Sequence, residues 1–301
     1  MEKFTNWRDK GTGIAPFQPP TTQKEAIFFN KSIITNIIFS IIYLTRCILL
    51  IPVLILSPFI NLRLLFLTGF TSGRIKIDYQ VNGVKRSQLN KDPRKYHLQK
   101  GNLYVINYSS VLAAIVLQYI AQDNRSIKYL IPSESNDLYE LTLLQFINFT
   151  MNGQSLNVTQ YGTQIKEISN KDWINYTWCL FAEGTCSNGK SILPFQINKT
   201  SLELVVDDST SICSEIIPVT IKVNNSLVTP LGGSSWRLLW SLILKHKCLA
   251  KIKVHESHLL VKEMDALDGV RESLNDGDKY KLVSKSLGIR EKRTFVEEFR
   301  K

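Results

Sequence analysis

Leu180-Phe181-Ala182-Glu183-Gly184-Thr185-Cys186-Ser187-Asn188-Gly189-Lys190-Ser191-Ile192-Leu193-Pro194-Phe195 is the stretch that decides the fold. It opens within a short apolar run, Trp178–Phe181, that reads as a buried strand. The run ends in an acidic residue, then Gly-Thr, then a polar loop and a Leu-Pro-Phe return. Open α/β sheets bind ligands at the carboxyl ends of their strands, and Glu183 stands at such an end. Gly184 lets backbone approach a ligand closely. Thr185, Ser187 and the loop N–H groups offer donors to a phosphate, and Lys190 offers charge. The plainer reading makes Glu183 a helix cap or turn former.

Working outward, Ile75, Ile77, Tyr79 and Val81 alternate with polar residues and predict a strand. Lys85–Lys100 is a charged loop, and Leu103–Ile106 is a short buried strand. Ser109 is placed to cap a helix running to about Ala121. Ile127–Ile131 is a strand ended by Pro132. Asp137 opens an apolar helix to about Met151, stopped by Asn152-Gly153. Ser155–Tyr161 is a strand candidate, and Ile216–Val223 a longer strand carrying Pro218. Ser234–Lys247 reads as a helix whose Trp236, Leu239, Trp240 and Ile243 share one face. That face suits either a bilayer interface or the core. Ala250–Val254 is a last strand, and a charged helical tail begins near Asp265. Strands alternating with helices predict an α/β domain with a mostly parallel or mixed sheet flanked by helices.

Ahead of this domain lies an almost wholly apolar run, Ile33–Ile60. A straight span needs about 20 uninterrupted apolar residues. Here Arg46 sits centrally, and Pro52 and Pro58 interrupt helix. The run divides into Ile33–Thr45 and Cys47–Ile60, each too short to cross upright. Lys3, Arg8, Lys10, Lys24 and Lys31 precede it; Arg63, Arg74, Lys76, Lys85 and Arg86 follow. Positive charge favours the cytosolic side, so both flanks belong there, as a membrane-embedded helical hairpin allows. One tilted span with Arg46 snorkelling and a buried core helix are the competing readings. The chain divides into a polar, irregular N-terminal segment (1–26), the hairpin (27–70), the α/β domain (71–264) and the charged tail (265–301).

The 301 residues are 44% hydrophobic, which excludes disorder. Lysine and arginine number 37 against 26 aspartate and glutamate, giving a net charge of +11. Such a balance suits nucleic acid, a phospholipid surface or a phosphorylated substrate, or simply aids solubility. No basic helix or aromatic-basic sheet pattern points to nucleic acid. Five scattered cysteines with no CxxC pair argue against structural zinc and suit a reducing compartment. In that compartment the Asn-x-Ser/Thr triplets, such as those at Asn107 and Asn148, stay unglycosylated.

The run Phe181–Thr185 followed by Leu193-Pro194-Phe195 resembles the Pro-Glu-Gly-Thr-Arg-Ser block of the glycerolipid (lysophosphatidic acid) acyltransferase superfamily. Asn107-Tyr108-Ser109-Ser110-Val111-Leu112-Ala113 lines up with that superfamily's Asn-His-x-Ser-x-x-Asp block, and Ile217-Pro218-Val219 with its Val-Pro-Val strand. Both ends, Asn6–Phe17 and Gly277–Val283, resemble the fungal lysophosphatidic acid:oleoyl-CoA acyltransferases. The resemblance covers nearly the whole chain. It implies acyl transfer from acyl-CoA, as co-substrate without a bound cofactor, to a lysophospholipid, in the manner of a 1-acylglycerol-3-phosphate O-acyltransferase. It further implies membrane lipids as partners, and a catalytic domain facing the cytosol at the endoplasmic reticulum membrane and lipid droplet.

The departures are specific. The superfamily's general-base histidine and the aspartate that orients it are replaced by Tyr108 and Ala113. Its two arginines are replaced by Thr159 and Cys186. None of the four histidines, His97, His246, His255 and His258, has an aspartate at dyad spacing. Glu183, with its pKa raised, is the remaining candidate base, and Cys186 a remote candidate nucleophile. Asn107, Tyr108, Ser109, Gly184, Thr185, Cys186, Ser187 and Lys190 are the expected substrate-binding set. The alternative is a catalytically degenerate relative that binds lipid or serves as a droplet scaffold.

Overall fold

The computed structural model describes residues 2–20, 75–123, 126–152, 158–166, 168–198, 201, 215–233, 248–259 and 265–301. The expected hairpin (27–70) and the Ser234–Lys247 helix lie outside these residues. Among the described residues no helix is long and apolar enough to cross a membrane.

Short apolar runs form the middle of the sheet. β2 (Leu103–Ile106) and β6 (Thr177–Leu180) are buried at every position, as strands covered on both faces must be. β3 (Ile127–Pro132) and β8 (Glu215–Val223) flank them, and all four run parallel in the order β8-β2-β6-β3. The edges are mixed. β9 (Cys248–Val254) pairs antiparallel with β8, and β1 (Ile75–Val81) lies parallel to β9. On the other side β4 (Leu138–Leu141) and β5 (Thr163–Gln164) continue antiparallel, while β10 (His258–Leu259) pairs with the start of β8. The architecture is mixed α/β, an eight-strand path flanked by helices, with β10 as a ninth strand.

Helices α2 (Leu112–Ile120) and α3 (Leu143–Asn152) pack on one face, where Leu117, Ile120, Phe146 and Phe149 meet Ile106, Tyr129, Ile221 and Ile252. The stretch expected as a charged loop, Lys85–Lys100, instead holds the short helix α1 (Arg86–Lys91) after β1 and a 3₁₀ turn, Pro93–Tyr96. On the other face Trp173 from α4 (Asn170–Asn175) stacks on Trp178 at 5.5 Å and 8°. α5 (Asp265–Leu274) sends Leu267, Val270 and Leu274 into the same layer.

Further local expectations are corrected. Ser109 does not cap α2. Its carbonyl accepts from Thr229, so the loop runs on two residues and the helix begins at Leu112, with Ser110 Oγ accepting the Leu112 N–H at 3.2 Å. The apolar helix expected from Asp137 is a strand and then a helix. Asn136 adopts φ 66°, the Ser133 N–H reaches the Asp137 carbonyl at 2.8 Å, and the chain folds back as the β3–β4 hairpin. Thr142 and Gln145 then cap α3, the Thr142 N–H donating to Gln145 Oε1 at 2.8 Å. Finally, Val158–Gln160 is a 3₁₀ turn rather than a strand; residues 155–157 lie outside the description.

The termini meet. Glu2–Trp7 forms a 3₁₀ turn rather than irregular chain. Phe4, Trp7 and Phe17 close on Phe295 of α6 (Ile289–Arg300), with ring centroids 5.5 to 5.9 Å apart. The tail also supplies β11 (Lys281–Leu282), which pairs in parallel with β7 (Ser191–Ile192).

Candidate active site

The parallel order β8-β2-β6-β3 gathers four strand-end loops on one rim, where open α/β sheets place their ligands. Asn107–Val111 follows β2 and Phe181–Lys190 follows β6. The loop after β8 bonds the first of these: Thr229 N–H donates to the Ser109 carbonyl at 3.1 Å, and Thr229 Oγ1 accepts from Val111 N–H at 3.2 Å. Ser187 N–H joins the second to the first by donating to the Tyr108 carbonyl at 2.7 Å. The tail meets the loop after β6 through Lys292, which donates to the Cys186 carbonyl, and Ile289, which lies beside Gly184.

Glu183 is 1% exposed. One carboxylate oxygen accepts the Tyr108 N–H at 2.7 Å, the other the Leu193 N–H at 2.8 Å. The side chain therefore ties the β2 loop, the β6 loop and the Leu-Pro-Phe return together. Burial pushes its pKa up to about 8, against the pull of the Leu193 and Tyr108 donors and of the Arg271 charge. Arg271 itself donates to the carbonyls of Leu193 (3.1 Å), Ile192 (3.3 Å) and Val283 (2.6 Å).

Tyr108, at the position expected for a base, is fully buried between Phe146 and Phe181, with centroids 5.4 and 5.0 Å away. Its hydroxyl lies 2.6 Å from Thr150 Oγ1, which donates to the Phe146 carbonyl. Burial drives its pKa well above the ordinary value, so it offers no base near neutrality. Ala113 lies in the buried first turn of α2. Asn107 acts as an extra rung of the sheet, donating through Nδ2 to the Ile221 carbonyl (3.1 Å) and accepting Ile221 N–H through Oδ1 (2.7 Å). Ser109 is buried against Gly189.

Within the β6 loop, Gly184 takes φ 65°, and a Cβ there would lie 2.5 Å from Ile289 Cδ1 and 3.1 Å from the Pro132 carbonyl. Glycine is required on both counts. Thr185 is 1% exposed and its hydroxyl has no hydrogen-bond partner, so a donor or acceptor is free at the buried heart of the loop. Ser187 Oγ is used inside the loop: it donates to the Ser191 carbonyl at 3.1 Å and accepts the Gly189 N–H at 3.3 Å. Lys190 is exposed at the loop's outer edge. Cys186 is fully buried and burial pushes its thiol up to about 12, which leaves no thiolate for nucleophilic attack near pH 7.

The residues expected elsewhere stay apart from the rim. Thr159 sits exposed on the 3₁₀ turn before β5. His255, lowered to about 4 by burial first and then by Lys253, lies 3.1 Å from Thr220 Oγ1. His258 pairs with Ser273 at 2.6 Å. His97 follows the 3₁₀ turn Pro93–Tyr96, and His246 lies outside the described residues.

Over 317 aligned residues the chain is 36% identical to lysophosphatidic acid:oleoyl-CoA acyltransferase 1 of Saccharomyces cerevisiae, covering 99% of this chain and 97% of that one. The chain belongs to the lysophosphatidic acid:oleoyl-CoA acyltransferase family. A second relative is the putative lysophosphatidic acid:oleoyl-CoA acyltransferase of Schizosaccharomyces pombe, 29% identical over 210 residues, 65% of this chain and 67% of that one. No protein-family profile and no solved structure matches it.

Sequence reading of this acyltransferase family member missed Lys292, Arg271 and Thr229. Lys292 stands between Ile289 and Phe295/Val296, on the apolar stripe of a helix otherwise rich in charge. A lysine at spacing three from apolar neighbours on both sides was the available signal. Arg271 and Thr229 carried none.

Proposed function

We propose that this chain transfers an acyl group from acyl-CoA, oleoyl-CoA foremost, to lysophosphatidic acid, giving phosphatidic acid. The family membership carries this reading, and the rim is compatible with it. In the reaction the acceptor's glycerol hydroxyl oxygen attacks the thioester carbonyl carbon. The C–S bond breaks, and the hydroxyl proton finishes on the CoA thiol. A thioester is already an activated donor, so positioning supplies much of the rate.

Glu183 is proposed to hold the two loops in register and to receive the acceptor's proton once that hydroxyl displaces one of its backbone donors. A carboxylate near 8 matches a base working close to neutrality. Thr185, with its unpartnered hydroxyl, and exposed Lys190 are the proposed contacts for acceptor phosphate. Purified full-length chain in micelles, given labelled oleoyl-CoA and a panel of lysophospholipids, should form labelled phosphatidic acid preferentially. Equal labelling of every acceptor would refute the head-group assignment.

We further propose that residues 27–70 form a hairpin in the membrane of the endoplasmic reticulum or lipid droplet, with both flanks cytosolic. Residues 2–20 and β1, on either side of that segment, belong to one packed unit through the sheet and the terminal cluster, an arrangement a hairpin permits. Protease applied outside sealed microsomes should cleave at both flanks; protection of either flank rules the hairpin out.

A further inference from the structure

Lys292 is 0% exposed. Its ammonium donates to the Cys186 carbonyl at 3.1 Å and to the Pro230 carbonyl, and lies 5.0 Å from the Phe17 ring centroid. Carbonyls and a ring face satisfy its protons but carry no net negative charge. Among the described residues no carboxylate forms an ion pair with it. Buried charges are ordinarily paired, because taking an ion out of water costs several kcal/mol or more. Burial lowers the ammonium to about 7, so near neutrality it is partly protonated; an anion held by the loop favours the charged form and is favoured by it in turn, the more so at low local dielectric.

The connections of that ammonium are specific. It grips one side of the Cys186–Ser187 peptide through the carbonyl, while the Ser187 N–H of the same peptide donates to the Tyr108 carbonyl. Pro230 adjoins Thr229, which holds Ser109 and Val111. Asn188 donates to the carbonyls of Ala15 and Pro16, beside Phe17. One side chain from α6 thus joins the β6 loop, the β8 loop and the N-terminal segment. The buried, unpartnered Thr185 hydroxyl belongs to the residue just before Cys186.

We propose that Lys292 is a positioning residue for the acceptor's phosphate: it fixes the Cys186–Ser187 peptide and supplies the positive potential that makes this loop select a phosphate-bearing acceptor. This rests on the reading of the chain as an acyltransferase. Lys292 does not touch the acceptor; it acts through the loop.

The test compares two acceptors of equal acyl chain, lysophosphatidic acid and monoacylglycerol, using full-length wild type, Lys292→Met and Lys292→Arg. Methionine keeps most of the length and the apolar stem and removes the charge. The proposal expects Lys292→Met to raise KM for lysophosphatidic acid and lower its kcat/KM roughly ten- to hundredfold, the scale of a charged hydrogen bond. Transfer to monoacylglycerol should change far less. Lys292→Arg, wherever it melts like wild type, should restore part of the preference. An equal loss on both acceptors in a protein that melts like wild type overturns the proposal, as does an unchanged preference. If Lys292→Met melts early, inorganic phosphate becomes the probe: it should raise the melting temperature of wild type and not of the variant, and an equal rise in both also overturns the proposal. Wild type inactive on both acceptors contradicts the acyltransferase reading itself, which separates the two failures.

Discussion

Tyr108 shows how one buried side chain can change the meaning of a motif. Sequence alignment placed it where a base is expected, yet the ring is a core aromatic wedged between Phe146 and Phe181. Its hydroxyl meets Thr150, which keeps its own bond to the Phe146 carbonyl. Tyr108→Phe should cost about 1 kcal/mol in a thermal melt and leave turnover at the wild-type level. A fall in kcat of roughly a hundredfold or more would instead assign proton transfer to the phenol. Glu183 carries the opposite expectation. Its folded pKa, about 8, lies above its ordinary 4.5, so between these values the folded state holds a proton that the unfolded state has lost. Stability contributed by the protonated form is complete below pH 4.5 and is lost as pH rises through 8, by up to about 1.4 kcal/mol per pH unit. Lys292 works in the other direction. Burial lowers it from 10.5 to about 7, so its contribution rises with pH above 7. The clean window for Glu183 is thus pH 5 to 7. Wild type should lose stability across it relative to Glu183→Gln in denaturant titrations. Parallel pH dependence of the two proteins would mean that the carboxylate stays ionised throughout.

At the scale of elements, the parallel core was legible because β2 and β6 are short apolar runs and β8 a longer one. The β3–β4 hairpin was not. Its turn depends on Asn136 in the left-handed region, and an apolar strand followed by an apolar helix has the same hydropathy as one long helix. The Glu-Gly-Thr loop was legible as a loop at the end of a buried strand, whereas its dependence on α6 was not, since that contact joins residues more than a hundred positions apart. Gly184 and Ile289 express the dependence sterically. Gly184→Ala should destabilise by roughly 1–3 kcal/mol, from the left-handed backbone together with the clash. Combining it with Ile289→Ala should relieve the clash and leave the backbone cost, so the two changes together should cost less than their sum. Strict additivity in urea titrations would show that the helix and the loop do not press on one another.

Over the whole molecule, the two ends of the chain close on the candidate rim. The tail reads in sequence as a charged helix, yet it delivers Lys292 to the loop after β6 and Arg271 to the Ile192–Leu193 return, and buries Phe295 against Trp7 and Phe17. Its purpose was illegible because charge composition marks exposure on average, while the exceptions depend on acceptor carbonyls in distant segments. The rim is proposed to perform acyl transfer without a histidine–aspartate dyad. The most direct measurement is the release of free CoA thiol from oleoyl-CoA by purified full-length protein, with and without lysophosphatidic acid, followed over many enzyme equivalents. Thiol release should be sustained, require the acceptor and be lost in Glu183→Ala. Release that is independent of the acceptor, or unchanged in Glu183→Ala, would contradict the proposal.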